Sequence, residues 1–280
     1  MVLTIITINR NNASGLEKTM KSVASQVWSD FEFIVVDGAS TDGSTDIIQG
    51  FSPLFGNRMK WVSEPDSGIY NAMNKGIRMS SGDYLLFLNS GDWLVDSRIL
   101  KEIDFDALSA DIVVGKCNVI KEDKVVWTYV PCENYTFGKI YLYGIAHQST
   151  FIKKSVFDRI GLYDESFRYN ADTEFWYRAI INNRVSTQAL DRVVSNYSLG
   201  GLSDVLKGDA TFLEEHNRIL SNPLYEKFLP DYLEWKKDRE WIAKYRFVEK
   251  YPRIVRFIKA YEKQKKRLSD FYHRGKRFVL

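Results

Sequence analysis

The sequence predicts an α/β fold in which a mostly parallel central sheet is covered by helices on both faces. Short apolar runs rich in β-branched residues alternate with segments of helical spacing over the first 95 residues. Such alternation is typical of a parallel sheet. The chain has 280 residues, 45% of them hydrophobic and 27% charged, which suits one large domain or one domain with an appendage.

The regular part of the pattern contains four strands and the helices between them. The predicted strands are 2–8, 31–36, 60–62 and 84–88, and helices follow the first three around 16–27, from 44, and 69–77. Right-handed crossovers would bring the carboxyl ends of all four strands to one edge of the sheet.

The pattern after residue 92 is less regular. Strands are predicted at 112–114, 125–130, 149–152 and 188–197, the first two as a hairpin around 121–124. Helices are predicted at 171–182 and 205–220, with a loop at 158–164 and a flexible link at 200–203.

The charge distribution divides the chain into an acidic body and a basic tail. Residues 236–280 contain 16 Lys and Arg against 5 Asp and Glu, whereas the first 235 residues contain 23 against 31. We therefore predict a body at 1–222, with halves 1–95 and 96–222, and a basic, aromatic helical extension at 223–280 with breaks near Pro230 and Pro252. Two interpretations of the extension stay open: solvated helices, or docking on an anionic membrane surface. Nucleic acid is not expected, because no recognised binding motif accompanies the charge.

Other features of the sequence indicate a cytoplasmic protein, either free or peripheral on the inner face of the membrane. The N-terminus has a strand pattern without a basic region, so no signal peptide is expected. No apolar run approaches the roughly 18 residues of a spanning helix. Cys117 and Cys132 lack metal-ligand spacing and are expected to be reduced.

Polar loops follow three of the four regular strands. They are Thr7–Asn9, Asp37–Ser40 and Asn89–Asp92. One such loop would be an ordinary turn. Several that converge beyond the carboxyl ends of strands indicate a ligand site, and they deliver Asp92 to the place expected for a ligand or metal ion.

Six segments, taken together and in order, resemble the family 2 glycosyltransferases of the GT-A fold. They are TIITINRN, FIVVDGASTDGSTDII, EPDSGIYNAMNKGI, GDYLLFLNSGDWL, GIAHQSTFIKKSVF and YNADTEFWYR. The resemblance covers about residues 3–203 and is strongest to transferases of bacterial surface polysaccharides. It implies a GT-A fold, with a Rossmann-like central sheet, and a nucleotide-sugar donor.

The resemblance also implies the residues of the donor site. It places Thr7 and Asn9 beside the nucleobase and ribose, and Asp37 on the nucleoside. The residues expected along the donor pocket are Asp66, Asn74 and Lys75.

The loop Asn89, Ser90, Gly91 and Asp92 takes the place of the family's acidic loop, which holds Mn²⁺ or Mg²⁺ on the diphosphate. Asn89 and Gly91 replace acids that many relatives have, so Asp92 is the expected metal ligand and Asn89 at most a secondary one. Asp37 is likewise the only acid of its loop.

The resemblance also implies roles for two residues on the acceptor side. Asp172 matches the acidic position that acts as general base, with Glu174 as a second choice. His147 is expected where sugar and acceptor meet. For Arg178 a solvated or capping role is favoured.

The expected activity is metal-dependent, inverting transfer of one sugar to a glycan, in bacterial polysaccharide biosynthesis with a lipid-linked acceptor. UDP is the default nucleotide, with GDP and dTDP also open. The alternatives are a nucleotidyltransferase, which is expected to have a glycine-rich basic first loop, and a non-catalytic module that binds a nucleotide sugar or a glycan. A processive synthase is disfavoured, because there are no spanning helices and no QxxRW-type motif.

Overall fold

The computed structural model describes residues 2–199, 209–226 and 228–245, together with residues 256 and 260. The chain divides into two compact units, Met1–Ile219 and Leu220–Leu280. The link predicted at 200–203, the start of the helix predicted at 205–220 and nearly all of the basic tail after residue 245 lie outside the described residues.

A mixed sheet of nine strands forms the centre of the first unit. The strands are β1 Leu3–Asn9, β2 Phe31–Asp37, β3 Met59–Ser63, β4 Tyr84–Phe87, β5 Trp93–Leu94, β6 Ile112–Lys121, β7 Lys124–Tyr129, β8 Thr150–Lys153 and β9 Thr187–Ser198. Their order is β3-β2-β1-β4-β8-β6-β9-β5, with β7 paired to β6. The first four strands are parallel neighbours, as predicted, and β8 joins them in the antiparallel direction.

The strands β1, β2 and β4 are buried along their whole length. A strand covered on both faces has no need of a polar side, which explains its continuous apolar sequence. The register aligns Asn9 at the end of β1 with Asp37 at the end of β2. The parallel pairing thus brings the polar loops to one edge, as predicted.

Helices flank this sheet. The first unit contains α1 Ala13–Ala24, α2 Ser44–Phe55, α3 Ile69–Met79, α4 Ile99–Glu102, α5 Phe137–Tyr143, α6 Lys154–Ile160 and α7 Ala171–Trp176, and α8 Ala210–Leu220 ends at its boundary. The helices α9 Pro223–Glu226 and α10 Leu229–Tyr245 belong to the second unit. The loop predicted at 158–164 is wrong at its start, because α6 continues to Ile160 and ends where Gly161 takes φ +89°. The helix predicted at 171–182 is α7 followed by a π-helical segment, Tyr177–Asn182.

The predicted hairpin is confirmed as β6 and β7. Its two turn residues, Glu122 and Asp123, have φ values of 50° and 58°. Positive φ at both central positions is typical of a type I′ turn, which matches the twist of paired strands.

Packed aromatic rings fix the position of α7 against the sheet. The ring of Phe175 on α7 stacks on Phe157 of α6, with centroids 4.8 Å apart, and lies 5.0 Å from Tyr163. Tyr163 in turn meets Phe87 of β4 edge-on at 5.6 Å. Burial of each such ring contributes about 1.5–3 kcal/mol. These contacts tie the start of α7, where Asp172 lies, to the central strand β4.

The second unit contains α9 and α10 among its described residues, and Pro230 lies in the first turn of α10. A proline is well accommodated there. In the described part of the chain, no helix is long and apolar enough to cross a membrane.

A buried carboxylate ties three parts of the sheet together at its far edge. Glu32 of β2 accepts hydrogen bonds from Thr4 Oγ1 at 2.8 Å and from the backbone N–H of Ser81 at 2.8 Å, and its other oxygen lies 2.6 Å from Lys60 Nζ. Burial alone would raise the pKa of Glu32, but these donors together hold it below its ordinary value.

We predict that Glu32→Gln lowers the free energy of unfolding by about 2 kcal/mol at neutral pH, because hydrogen bonds to a buried charge are lost. Since the folded pKa is lowered, the contribution of Glu32 is complete above the ordinary value of 4.5 and is lost as the pH falls through the folded pKa. Urea unfolding of both proteins across this range measures the difference. Glu17→Gln, which removes an exposed helical ion pair with Lys21, is the control and should change stability by about 0.5 kcal/mol or less. An equal loss in both variants would contradict the assignment.

Candidate active site

A cleft with a volume of about 830 Å³ opens in the first unit, at the carboxyl ends of β1 and β4. The chain runs from β1 outward to β2 and β3, then returns to place β4 on the other side of β1. Strand order therefore reverses between β1 and β4, and the loops after these strands diverge there. Ligands of open α/β sheets bind at this kind of switch point.

The shape of the loop after β4 is fixed by α1. Thr19 Oγ1 donates to the carbonyl of Asp92 at 2.6 Å and accepts from the backbone N–H of Gly91 at 3.0 Å. Asn12 Nδ2 donates to the carbonyl of Ser90 at 3.1 Å. Gly91 has φ +104°, a backbone conformation that residues other than glycine rarely adopt. Ser90, Gly91 and Asp92 consequently form a rigid wall of the cleft.

Asp92 is a nearly buried carboxylate on this wall, 7% exposed. Burial raises its pKa to about 7, and the charge of His147 offsets only part of that shift. Among the described residues, no donor makes a hydrogen bond to its carboxylate. Beside it in the cleft, Asn89 Oδ1 is buried and also without a hydrogen-bond partner.

These two oxygens fit a divalent cation, because a cation is the kind of partner that both lack. Mg²⁺ and Mn²⁺ prefer oxygen ligands and often take only one or two from the protein, with phosphates and water completing the shell. The described residues contain no cluster of three or more His, Cys, Asp or Glu that would hold a metal without such help.

His147 connects the loop after β4 to α7. It begins the turn before β8, and its Nδ1 lies 3.5 Å from Asp172 Oδ2 while its Nε2 lies 3.4 Å from Asn89 Nδ2. Burial alone would lower the pKa of His147, but the nearby carboxylates of Asp172 and Asp92 raise it above the ordinary value. The imidazole thus lies between the Asp172 carboxylate on its Nδ1 side and the Asn89 amide on its Nε2 side.

Asp172 lies in the first turn of α7, with a quarter of its side chain exposed. Its Oδ1 accepts from Tyr70 Oη at 3.1 Å and from the backbone N–H of Thr173 at 2.7 Å. Among the described residues, the contact of Oδ2 is with His147 Nδ1 at 3.5 Å, so Oδ2 is the less engaged of the two oxygens.

The predicted donor residues divide into two groups. Asn9, Asp66, Asn89, Ser90 and Gly91 line the cleft, as do Asp92 and His147. Thr7, Asp37, Asn74 and Lys75 lie outside the lining, and so does Asp172.

The four outlying donor candidates have protein partners. Asp37 is fully buried and accepts from Asn9 Nδ2 at 2.8 Å, from Ser40 through both its N–H and Oγ, and from Ser63 Oγ at 2.6 Å. Thr7 donates to the carbonyl of Leu88. Asn74 is bonded to Tyr163 and Glu165, and Lys75 pairs with Glu64 at 2.8 Å. These contacts show that the four side chains hold other parts of the protein in place. Their contacts with the nucleotide sugar stay predictions.

Several residues of the cleft are not among those predicted from the sequence. Lys18 lines the cleft, with its Nζ 3.2 Å from the ring centroid of Trp93. Arg10 lies 3.6 Å from Asp66 across the floor. Lys18 lies one helical turn after Ser14, another residue of the lining, but that spacing alone does not mark a cleft residue. The lining at Tyr197–Leu199 comes from β9 and its end, far along the chain, and no local pattern marks it.

A second, smaller groove of about 270 Å³ lies on the α7 side. It is lined by 67–71 and 165–169, including Tyr70, and it shares Gly68 and Ile69 with the cleft. Tyr70 reaches Asp172 from this groove, whereas His147 reaches it from the cleft. Asp172 therefore stands between the two spaces.

Glu174 and Arg178 have a structural role. They form an ion pair at 2.8 Å, and Arg178 also donates to the carbonyls of Ile160 and Leu162. Arg178 thus caps the end of α6, as favoured from the sequence, and the Glu174 carboxylate is occupied by it.

Comparison with known proteins identifies the family. The family description "Glycosyl transferase family 2" matches residues 4–190. A PGL/p-HBAD biosynthesis glycosyltransferase of Mycobacterium bovis is 31% identical over 218 residues, covering 76% of this chain and 83% of that protein. An uncharacterized glycosyltransferase of Mycobacterium tuberculosis is 35% identical over 184 residues, covering 64% of this chain and 69% of that protein.

Solved structures show the same fold. Residues 1–349 of S. aureus TarS superpose with a TM-score of 0.59 at 18% identity, covering 71% of this chain and 60% of that one. A mannosyltransferase from Pyrobaculum calidifontis, solved with GDP-Man and Mn²⁺, has a TM-score of 0.52 at 17% identity, covering 71% of this chain and 57% of that one. The predicted GT-A fold is therefore confirmed. By its sequence match, the chain belongs to glycosyl transferase family 2 and is a glycosyltransferase.

Proposed function

We propose that this protein transfers one sugar from a nucleoside diphosphate sugar to a hydroxyl group of an acceptor, with inversion at the anomeric carbon. The observation that carries the proposal is the pair of carboxylates Asp92 and Asp172, both near His147, one at the cleft and one between cleft and groove. Asp92 could hold a cation that stabilises the leaving diphosphate, and Asp172 could accept the proton of the attacking hydroxyl.

The cleft is the proposed donor site. Its volume lies within the roughly 300–1,000 Å³ that is typical of small-molecule sites. TarS has been solved with UDP-GlcNAc and with UDP, and the Pyrobaculum mannosyltransferase with GDP-Man. UDP is the proposed default nucleotide, with GDP and dTDP as the other candidates.

Asp92, with Asn89 as a secondary ligand, would hold Mn²⁺ or Mg²⁺. When bound, the cation acts as a Lewis acid that stabilises the charge developing on the diphosphate. The rigid loop after β4 keeps both oxygens in place, so little reorganisation accompanies binding.

Asp172 is the proposed general base. Its Oδ2 takes the proton from the acceptor hydroxyl, because Oδ1 is already engaged by Tyr70 and the Thr173 N–H. Those two donors and His147 fix the orientation of the carboxylate. A base opposite the leaving diphosphate supports a single displacement, which inverts the anomeric carbon.

The proposed acceptor is a glycan, held on a lipid, that approaches through the groove beside Tyr70. The Mycobacterium bovis relative is named for PGL/p-HBAD biosynthesis, a glycolipid pathway, which supports an acceptor of this class. A cytoplasmic enzyme of bacterial polysaccharide synthesis, docked at the anionic inner membrane surface by its basic tail, would meet such an acceptor.

The family match favours this function over a nucleotidyltransferase. The same match, by which the chain is a glycosyltransferase, also disfavours a non-catalytic module, the alternative suggested by the scarcity of acids in the loop after β4. Hydrolysis of the donor distinguishes an enzyme from a module.

We predict that UDP at about 100 times its Kd, with Mn²⁺, raises the melting temperature by about 5–10 °C, since binding at that level contributes about 2.7 kcal/mol. Asp92→Asn should lose the part of the shift that depends on Mn²⁺. Asp83→Asn, an exposed aspartate at the opposite end of β4, is the matched control and should keep the full shift. If no common nucleoside diphosphate shifts the melt of the native chain with or without metal, the donor site is refuted.

We predict that Asp172→Asn lowers turnover of the donor at least about 100-fold, the usual minimum for loss of a general base, with nucleotide affinity unchanged. Glu174→Gln, two residues further along the same helix, should keep most of its turnover. Steady-state hydrolysis of the preferred nucleotide sugar measures both variants. Full activity of Asp172→Asn, or an equal loss in Glu174→Gln, would remove Asp172 from the role of base.

A further inference from the structure

The loop that leads into α7 is held by a helix outside the part of the chain that matches the family. The family match ends at residue 190, whereas α8 begins at Ala210. Glu215 of α8 is buried, 7% exposed, and its carboxylate faces the backbone just before α7. Neither the motifs of the sequence nor the proposed reaction assigns it a role.

Glu215 gathers four donors from three consecutive residues. It accepts from the backbone N–H of Arg168, from that of Tyr169 at 3.0 Å and from that of Asn170 at 3.1 Å. Asn170 Nδ2 adds a fourth contact at 3.2 Å and also donates to the carbonyl of Phe212 at 3.0 Å. A desolvated carboxylate is stable in such a place only because several donors satisfy it.

The residues that Glu215 holds lead directly to Asp172. Asn170 is the residue before α7, and Asp172 lies two positions after it. Tyr70 Oη has one proton to donate, which the carbonyl of Tyr169 at 2.7 Å and Asp172 Oδ1 at 3.1 Å share. The backbone N–H of Tyr169 is thus bonded to Glu215, and its carbonyl is bonded to Tyr70. Tyr70 in turn orients Asp172.

Arg218, one turn after Glu215, secures the outer part of the same loop. Its guanidinium donates to Ser166 Oγ at 2.8 Å, pairs with Asp164 at 3.2 Å and lies over the ring of Phe167 at 4.1 Å. Two side chains of α8 therefore hold residues 164–170 from the same helix.

We propose that Glu215 is a positioning residue for the reaction: it sets the position of Asp172 by fixing the backbone of residues 168–170. This inference rests on the proposed function, in which Asp172 is the general base. Removal of the carboxylate would leave three backbone N–H groups without their acceptor, so the loop would relax and the start of α7 would shift. A displacement of about 1 Å in a catalytic group can cost about 100-fold in rate.

The test compares Glu215→Gln and Glu215→Ala with two controls on the same helix. Glu214→Gln changes an exposed neighbouring glutamate, and Ile219→Ala removes buried apolar side chain without touching the loop hydrogen bonds. Two quantities are measured: kcat and KM for hydrolysis of the nucleotide sugar that the native chain turns over fastest, and hydrogen–deuterium exchange of peptides covering 168–172.

Both Glu215 variants should lower kcat about 10- to 100-fold, while KM for the donor stays within about twofold, because the donor cleft is not involved. Exchange at 168–170 should become faster. Glu214→Gln should behave as the native chain, and Ile219→Ala should lower the melting temperature without a matching loss of kcat.

A kcat in the Glu215 variants no lower than in Ile219→Ala at equal loss of melting temperature overturns the proposal, as does unchanged exchange at 168–170. If the native chain hydrolyses no nucleotide sugar, the proposed function fails instead. In that case the exchange measurement still decides whether Glu215 holds the loop.

Discussion

The pairing of β1 with β2 on one side and with β4 on the other is the constraint on which the rest of the structure depends. All three strands are parallel and buried, so their carboxyl ends lie together and their connections diverge between β1 and β4. That divergence opens the cleft. It also leaves the loop after β4 directly beside α1, whose Thr19 and Asn12 fix its backbone. A change in the register of β4 would move Asp92 away from both the cleft and His147.

Several buried polar groups do not belong to the predicted catalytic residues themselves but hold the residues of the site in place through hydrogen bonds. Asp37 holds Asn9 at the cleft, Tyr70 holds Asp172, and Glu215 holds the loop that Tyr70 bonds to. Each of these groups has its hydrogen bonds satisfied within the protein. The exceptions lie at the cleft: the Asp92 carboxylate is buried without a donor among the described residues, and Oδ1 of Asn89 and Oδ1 of Asn9 are buried without a hydrogen-bond partner. A bound cation would supply the partner that the Asp92 carboxylate lacks.

The sequence was sufficient for the parts of the fold that depend on local pattern. Continuous apolar runs predicted β1, β2 and β4, and the polar ends of those strands predicted which edge carries the site. The same polarity could not tell a cleft residue such as Asn9 from a buried support such as Asp37, because both have the same residue chemistry at a strand end. Helix α6 was not predicted, because its seven residues span only about two turns and give too short a periodic pattern. The role of Glu215 depends on contacts 45 to 47 residues away, which no local pattern records.

In the proposed reaction, Asp172 and Asp92 act from opposite sides of one anomeric carbon. The most direct measurement is the configuration of the first-formed product when the purified chain transfers or hydrolyses an α-linked nucleotide sugar, followed by proton NMR before mutarotation. Single displacement predicts the β-anomer as the initial product. Initial formation of the α-anomer would contradict the account, because it would require either a covalent intermediate or attack on the same face as the leaving diphosphate.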